Sequence, residues 1–147
     1  QPTFMSKLII GSTAFVSLPD VQLMQLPAKI DTGAYYNTLH CSQTELVMVD
    51  EQPALRFMVL DPDMPQYTGS WWYARRFRQI TIRNSAGQAD ERFVVLLKLE
   101  VLGIELITHF TLTQRANKQF PVLLGRCMLK GRFLVDVEQH NLLNNEQ

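Results

Sequence analysis

Short runs of alternating apolar and polar residues, broken every few positions by glycine, proline or asparagine, dominate this chain and leave little room for helices. Leu8-Ile9-Ile10 runs into Gly11, and Ala14 to Leu18 stops at Pro19-Asp20. Pro27-Ala28-Lys29-Ile30-Asp31 reads as a strand ending in Thr32-Gly33-Ala34. Leu46 to Val49 and Leu55 to Leu60 are the next two strands. A turn-rich stretch from Asp61 to Gly69 follows, and then Phe77 to Arg83, which stops at the hairpin signal Asn84-Ser85-Ala86-Gly87. Phe93 to Val101 returns, Gly103 breaks it, and Ile104 to Leu112 continues. Past Pro121, Val122-Leu123-Leu124-Gly125 reads as a short buried strand and Arg126 to Lys130 as one or two helical turns. Phe133 to Asp136 is a last strand, and Asn141 to Gln147 a polar tail. No segment carries the 3.6-residue period of a long amphipathic helix. The expectation is one mostly-β domain over residues 1–147.

Composition narrows the function. Of 147 residues, 46% are hydrophobic, enough for a real core. Fourteen Lys and Arg balance fourteen Asp and Glu, and a neutral chain is a poor general binder of nucleic acid or of anionic membranes. Trp71 to Arg78 does interleave aromatic rings with Arg75, Arg76 and Arg78, as single-strand-binding grooves do. A strand edge guarded by arginine explains that run as well, and no nucleic-acid partner is expected. Charged residues make up only 19% of the chain, a shortage that a dimer or a covered partner face would explain. Val94-Val95-Leu96-Leu97 is far shorter than the roughly 20 apolar residues a bilayer requires, so no membrane span is expected. Cys41 and Cys127 are too few for a disulfide scaffold and read as buried thiols, with one bridge open to them if the protein is exported. The chain opens Gln1-Pro2-Thr3 without Met, which fits a cleaved leader or a trimmed chain and favours export.

The sharpest local signal is Ile30-Asp31-Thr32-Gly33-Ala34. An apolar strand delivers a carboxylate, a small hydroxyl can tie the loop to backbone groups, and glycine lets the chain turn where a side chain would clash. Far along the sequence, Phe120-Pro121-Val122-Leu123-Leu124-Gly125-Arg126 supplies a second element.

Together these segments resemble the retropepsin-type aspartic proteases, which pair a D-[ST]-G-A loop with a late hydrophobic-hydrophobic-Gly strand leading into a short helix. Lys29 to Ala34, Leu39-His40, Thr111-Leu112-Thr113-Gln114-Arg115, Phe120 to Arg126 and Gly131 to Asp136 narrow the resemblance further. They are similar to the bacterial family named ATP-dependent zinc proteases, found beside or fused to RimK-type glutamate ligases. The chain departs from that family's pattern at Tyr35-Tyr36-Asn37, where Arg-Thr-Ser is usual, and at Gln114, where Asp precedes the arginine. The resemblance implies a retropepsin-like closed β-barrel with one short C-terminal helix. It makes Asp31 the catalytic acid, supported by Thr32, Gly33, Ala34, Leu124, Gly125 and Arg126. Neither metal nor ATP is expected. His40, His109 and His140 lack ligand spacing, H-E-x-x-H is missing, and so is a phosphate loop.

An aspartic protease needs two carboxylates sharing one proton, yet only one Asp-Thr-Gly is present. The expectation is therefore an endopeptidase whose dyad forms across a homodimer, acting on a peptide or protein. Its alternative is a non-catalytic domain of the same fold that binds peptides or a partner. A lid over the substrate is expected in the loop from about Pro62 to Tyr73, with Gly69 for flexibility and Trp71 and Trp72 for apolar contact.

Overall fold

In the computed structural model, residues 6–114 and 119–140 are described. Arg115 and the polar tail from Asn141 lie outside them, as do Gln1 to Thr3. The alternating segments form eleven strands. They are β1 (Leu8–Ile10), β2 (Thr13–Leu18), β3 (Leu23–Ile30), β4 (Asn37–Val49), β5 (Gln52–Val59), β6 (Trp72–Ala74), β7 (Arg78–Arg83), β8 (Ala89–Val101), β9 (Ile104–Thr113), β10 (Val122–Leu124) and β11 (Phe133–Val135). The one α-helix, α1 (Arg126–Leu129), is a single turn near the C-terminal end, as expected.

Strand order within the main sheet is β10-β3-β2-β8-β9-β4-β5-β6, with β7 on the free half of β8. Because β10 also pairs with β4, the six strands β10-β3-β2-β8-β9-β4 run round in a ring. β1 and β11 form a separate parallel pair. The inward positions of these strands fill the core. Val16, Leu18, Leu39, Leu99, Phe110 and Leu124 are each fully enclosed, and every such side chain removed from water contributes about 1.5–3 kcal/mol.

Two boundaries differ from expectation for physical reasons. β4 begins at Asn37, well before Leu46, because Asn37 to Cys41 are enclosed on both faces and show no alternation. Beyond Ser42 it leaves the body and pairs with β5 alone, leaving Leu46 and Met48 exposed. β6 is only three residues long and pairs with Leu55 to Phe57, so the expected lid loop ends in a strand at Trp72. The Asn84 to Gly87 turn joins β7 and β8 as expected, and Asn84 Oδ1 accepts the amides of Ala86 and Gln88. Both cysteines are free. Cys41 is buried and Cys127 half-buried, and burial pushes the Cys41 thiol pKa up, so that it sits in the core as an apolar group.

Phe110 sits between β8 and β4 with no exposure. Phe110→Ala should lower unfolding stability by about 3–5 kcal/mol in urea titration. Met48→Ala, on the exposed β4–β5 arm, should change it by less than about 0.5 kcal/mol.

Candidate active site

β3 carries the acid. Its last residue, Ile30, faces the core, and Asp31 follows at the rim, half-exposed. Two carbonyls hold the backbone at this point: the Ile30 amide donates to Ser12 O at 2.9 Å, and the Asp31 amide to Leu124 O at 2.9 Å. The carboxylate folds back on its own turn, where Asp31 Oδ1 accepts the Gly33 amide at 3.0 Å. A bond of this type two residues ahead rigidifies the loop and sets the direction of the carboxylate.

β10 enters between β3 and β4. It runs parallel to β3, with Val122 opposite Ala28 and Leu124 opposite Ile30, and antiparallel to β4, with Val122 opposite Leu39. At its end Gly125 lies against the Asp31 loop. A Cβ there would stand 2.4 Å from the Tyr36 carbonyl oxygen and 2.8 Å from those of Ala34 and Tyr35. These are backbone atoms and cannot rotate away, so only glycine fits. The chain then turns into α1, whose first amides have no intrahelical acceptors. The loop supplies them: Arg126 N–H donates to Ala34 O and Cys127 N–H to Tyr35 O, each at 2.8 Å. Arg126 Nη1 also donates to Thr32 O at 3.0 Å. Asp31, Thr32, Gly33 and Ala34 thus come together with Leu124, Gly125 and Arg126 in one crossed loop.

Asn37 completes the loop, and its importance was not visible in sequence. It is fully buried, its Oδ1 accepts the Gly125 amide at 2.9 Å, and its Nδ2 donates to His109 O and Thr108 Oγ1. A single asparagine after two tyrosines gives no such signal. Arg78 was missed as well. From β7 its guanidinium donates to the Tyr36 hydroxyl at 2.9 Å and lies 5.6 Å from that ring's centroid. Tyr35 packs edge-on against Tyr36, and His109 also meets Tyr36 edge-on.

The expected lid residues are not part of the crossed loop. Gly69 takes φ +73, Trp71 sits under the Arg56 guanidinium at 4.1 Å, and Trp72 belongs to β6. No hydrogen bond or ring contact joins them to the Asp31 loop among the described residues. His40, on the buried stretch of β4, places Nε2 2.9 Å from Asp61 Oδ1 and ties that strand to the start of the Pro62 to Tyr73 stretch. Among the described residues no three His, Cys, Asp or Glu side chains gather as a metal-binding group.

The family model for the RimB-like proteins, described as retropepsin-like aspartic endopeptidase RimB, matches residues 9–146. The chain belongs to the RimB-like family. A probable alpha-L-glutamate ligase of Parasynechococcus marenigrum is 33% identical over 144 residues, covering 95% of this chain and 30% of that protein. One from Desulfotalea psychrophila is 26% identical, covering 89% of this chain and 28% of its own length. The chain therefore spans about 30% of the length of these curated relatives. A solved Legionella pneumophila structure, Lpg0085, described as of unknown function, superposes with a TM-score of 0.71 at 28% identity. It covers 92% of this chain and 98% of its own.

Gly125→Ala should destabilise the protein by more than about 2 kcal/mol, because the clash is with backbone. Asn37→Ala should cost about 1–3 kcal/mol by leaving a buried amide without its acceptor. Thermal denaturation of both variants checks this, and a melting temperature unchanged in Gly125→Ala would contradict the geometry.

Proposed function

We propose that this chain is an aspartic endopeptidase whose active site is completed when two copies bring their Asp31 carboxylates together. The observation that carries the reading is the crossed loop itself. It holds one carboxylate at the rim of a rigid backbone frame and offers one such acid per chain. In the pair, one carboxylate takes a proton from the attacking water while the other, protonated, polarises the scissile carbonyl. One proton then passes to the leaving amine as the tetrahedral intermediate collapses, and the pair is left sharing one proton again. Thr32 would bond across the two-fold axis, as the resemblance implies, and the Arg126 contact to Thr32 O holds that residue in place. On this reading residues 1–147 act as one domain, and the ring of six strands serves as the closed barrel.

Apolar surface beside the loop supports self-association. Leu8, Ile9, Leu134 and Val137 are between 42% and 75% exposed on the β1–β11 pair and its exit. The adjoining cavity of about 560 Å³ has Thr32, Tyr35 and Arg126 in its wall together with Phe133 and Val135. A two-fold contact needs a self-complementary face of this kind next to the acid. Two segments are available to cover bound substrate: the loop holding Gly69, Trp71 and Trp72, and the exposed β4–β5 arm with Leu46 and Met48. The relatives' ligase name directs the first peptide panel to glutamate-containing sequences.

Asp31→Asn should fold normally and lose cleavage of such peptides, or of casein, by about 10²–10⁴-fold. Leu134→Glu should shift the protein toward monomer in light scattering and lose activity in parallel. Full cleavage by Asp31→Asn would exclude the acid, and an active monomer would exclude the shared dyad. Peptide binding without cleavage in the parent would leave the non-catalytic alternative.

A further inference from the structure

Away from the Asp31 loop, the sheet has an unfinished edge. β8 is flanked by β7 up to the pair Val94–Arg78, and by β2 from the pair Glu100–Ser17 onward. Between them, residues 95–99 have no strand on that side among the described residues. The Lys98 amide points outward, where Asp20 Oδ2 accepts it at 2.9 Å. Alternation along an antiparallel strand then directs the Leu96 amide and carbonyl outward too. Leu96 itself is 46% exposed.

The open stretch is the wall of a groove of about 300 Å³. Phe57, Trp72, Arg76, Val95, Leu96 and Leu97 line most of it, and Asp20 stands at one end. A second cavity of about 190 Å³ shares Arg76, Val95 and Leu96 and continues toward Arg78 and His109. The opposite wall is β6, the last strand of its sheet, which pairs only with β5. The charges are lopsided. Arg75 is engaged by Asp50, and Arg78 by the Tyr36 hydroxyl. Arg76 is exposed on the wall of both cavities and makes no ion pair among the described residues. The Asp20 carboxylate is occupied by the Lys98 amide. The Trp72 indole N–H is enclosed and has no acceptor among the described residues.

We propose that this groove docks an extended polypeptide segment of a partner protein. The segment adds as a short strand on β8 at Leu96, with an apolar side chain over Phe57 and Leu97 and an acidic side chain on Arg76. Strand addition draws its affinity from backbone pairing and its selectivity from alternate side-chain pockets. The proposal does not use Asp31 or its crossed loop, although the groove shares Trp72 with the segment offered above as a substrate cover.

The test is fluorescence anisotropy with a fluorescein-labelled decapeptide alternating valine and glutamate, using the full chain as Asp31→Asn so that no cleavage intervenes. Saturable binding is expected, weakened at least about tenfold by Arg76→Glu and by replacing glutamate with lysine in the peptide. N-methylation of alternate peptide amides, which removes the donors but keeps the side chains, should abolish binding in one register and spare it in the other. Binding should also shift tryptophan emission in Trp71→Phe but not in Trp72→Phe. No saturation up to about 1 mM peptide, the weak end of specific recognition, would overturn the proposal. Affinity indifferent to Arg76→Glu or to N-methylation in both registers would overturn it as well. Because Asp31 is already replaced, neither result bears on the peptidase reading.

Discussion

Three carbonyl oxygens converge on Gly125, where a side chain would have to stand among them. Those of Ala34, Tyr35 and Tyr36 close around Gly125 so tightly that any Cβ would overlap them. This approach lets β10 slide between β3 and β4 and lets the amides of Arg126 and Cys127 use the loop as their helix cap. Everything else about the acid follows from that contact. The Asp31 loop is gripped almost wholly through main-chain atoms, so its side chains are left free for chemistry and recognition.

The same grip explains why the departures from the family pattern leave the frame intact. Tyr35 and Tyr36 replace Arg and Thr, but the frame uses their carbonyls and not their side chains. Asn37 replaces Ser and offers a side-chain carbonyl that bonds the Gly125 amide, with an amide group left over to tie in β9. The tyrosines instead build an aromatic cluster with His109 that Arg78 braces from β7. What the substitutions alter is the surface beside the acid.

How much of this could be read from the chain depends on how irreplaceable each residue is. Asp-Thr-Gly-Ala and Leu-Leu-Gly are legible because each position has one physical solution: a carboxylate at a strand end, and a glycine where backbones touch. Strands with one wet face, such as β7 and the second half of β8, show their alternation directly. The start of β4 does not, because Asn37 to Cys41 are enclosed throughout. Pairings made by folding alone are equally silent. Arg78 with Tyr36, His40 with Asp61, and Asn37 with Gly125 join residues far apart in sequence, and no local pattern announces them.

The β1–β11 face and the open edge of β8 differ in chemistry, and the proposals above give them different work. The β1–β11 pair exposes aliphatic residues. An apolar face is automatically complementary to its own image, which is what a two-fold contact demands. The open edge of β8 lies beside Arg76 and Arg78, and two such edges brought together would oppose cation to cation. Self-pairing is therefore disfavoured there by the same charges that guard an edge strand against aggregation, while a segment of opposite charge is admitted. On these proposals the arginines stand where partners would be discriminated, and the bare aliphatic face is the one offered to a second copy.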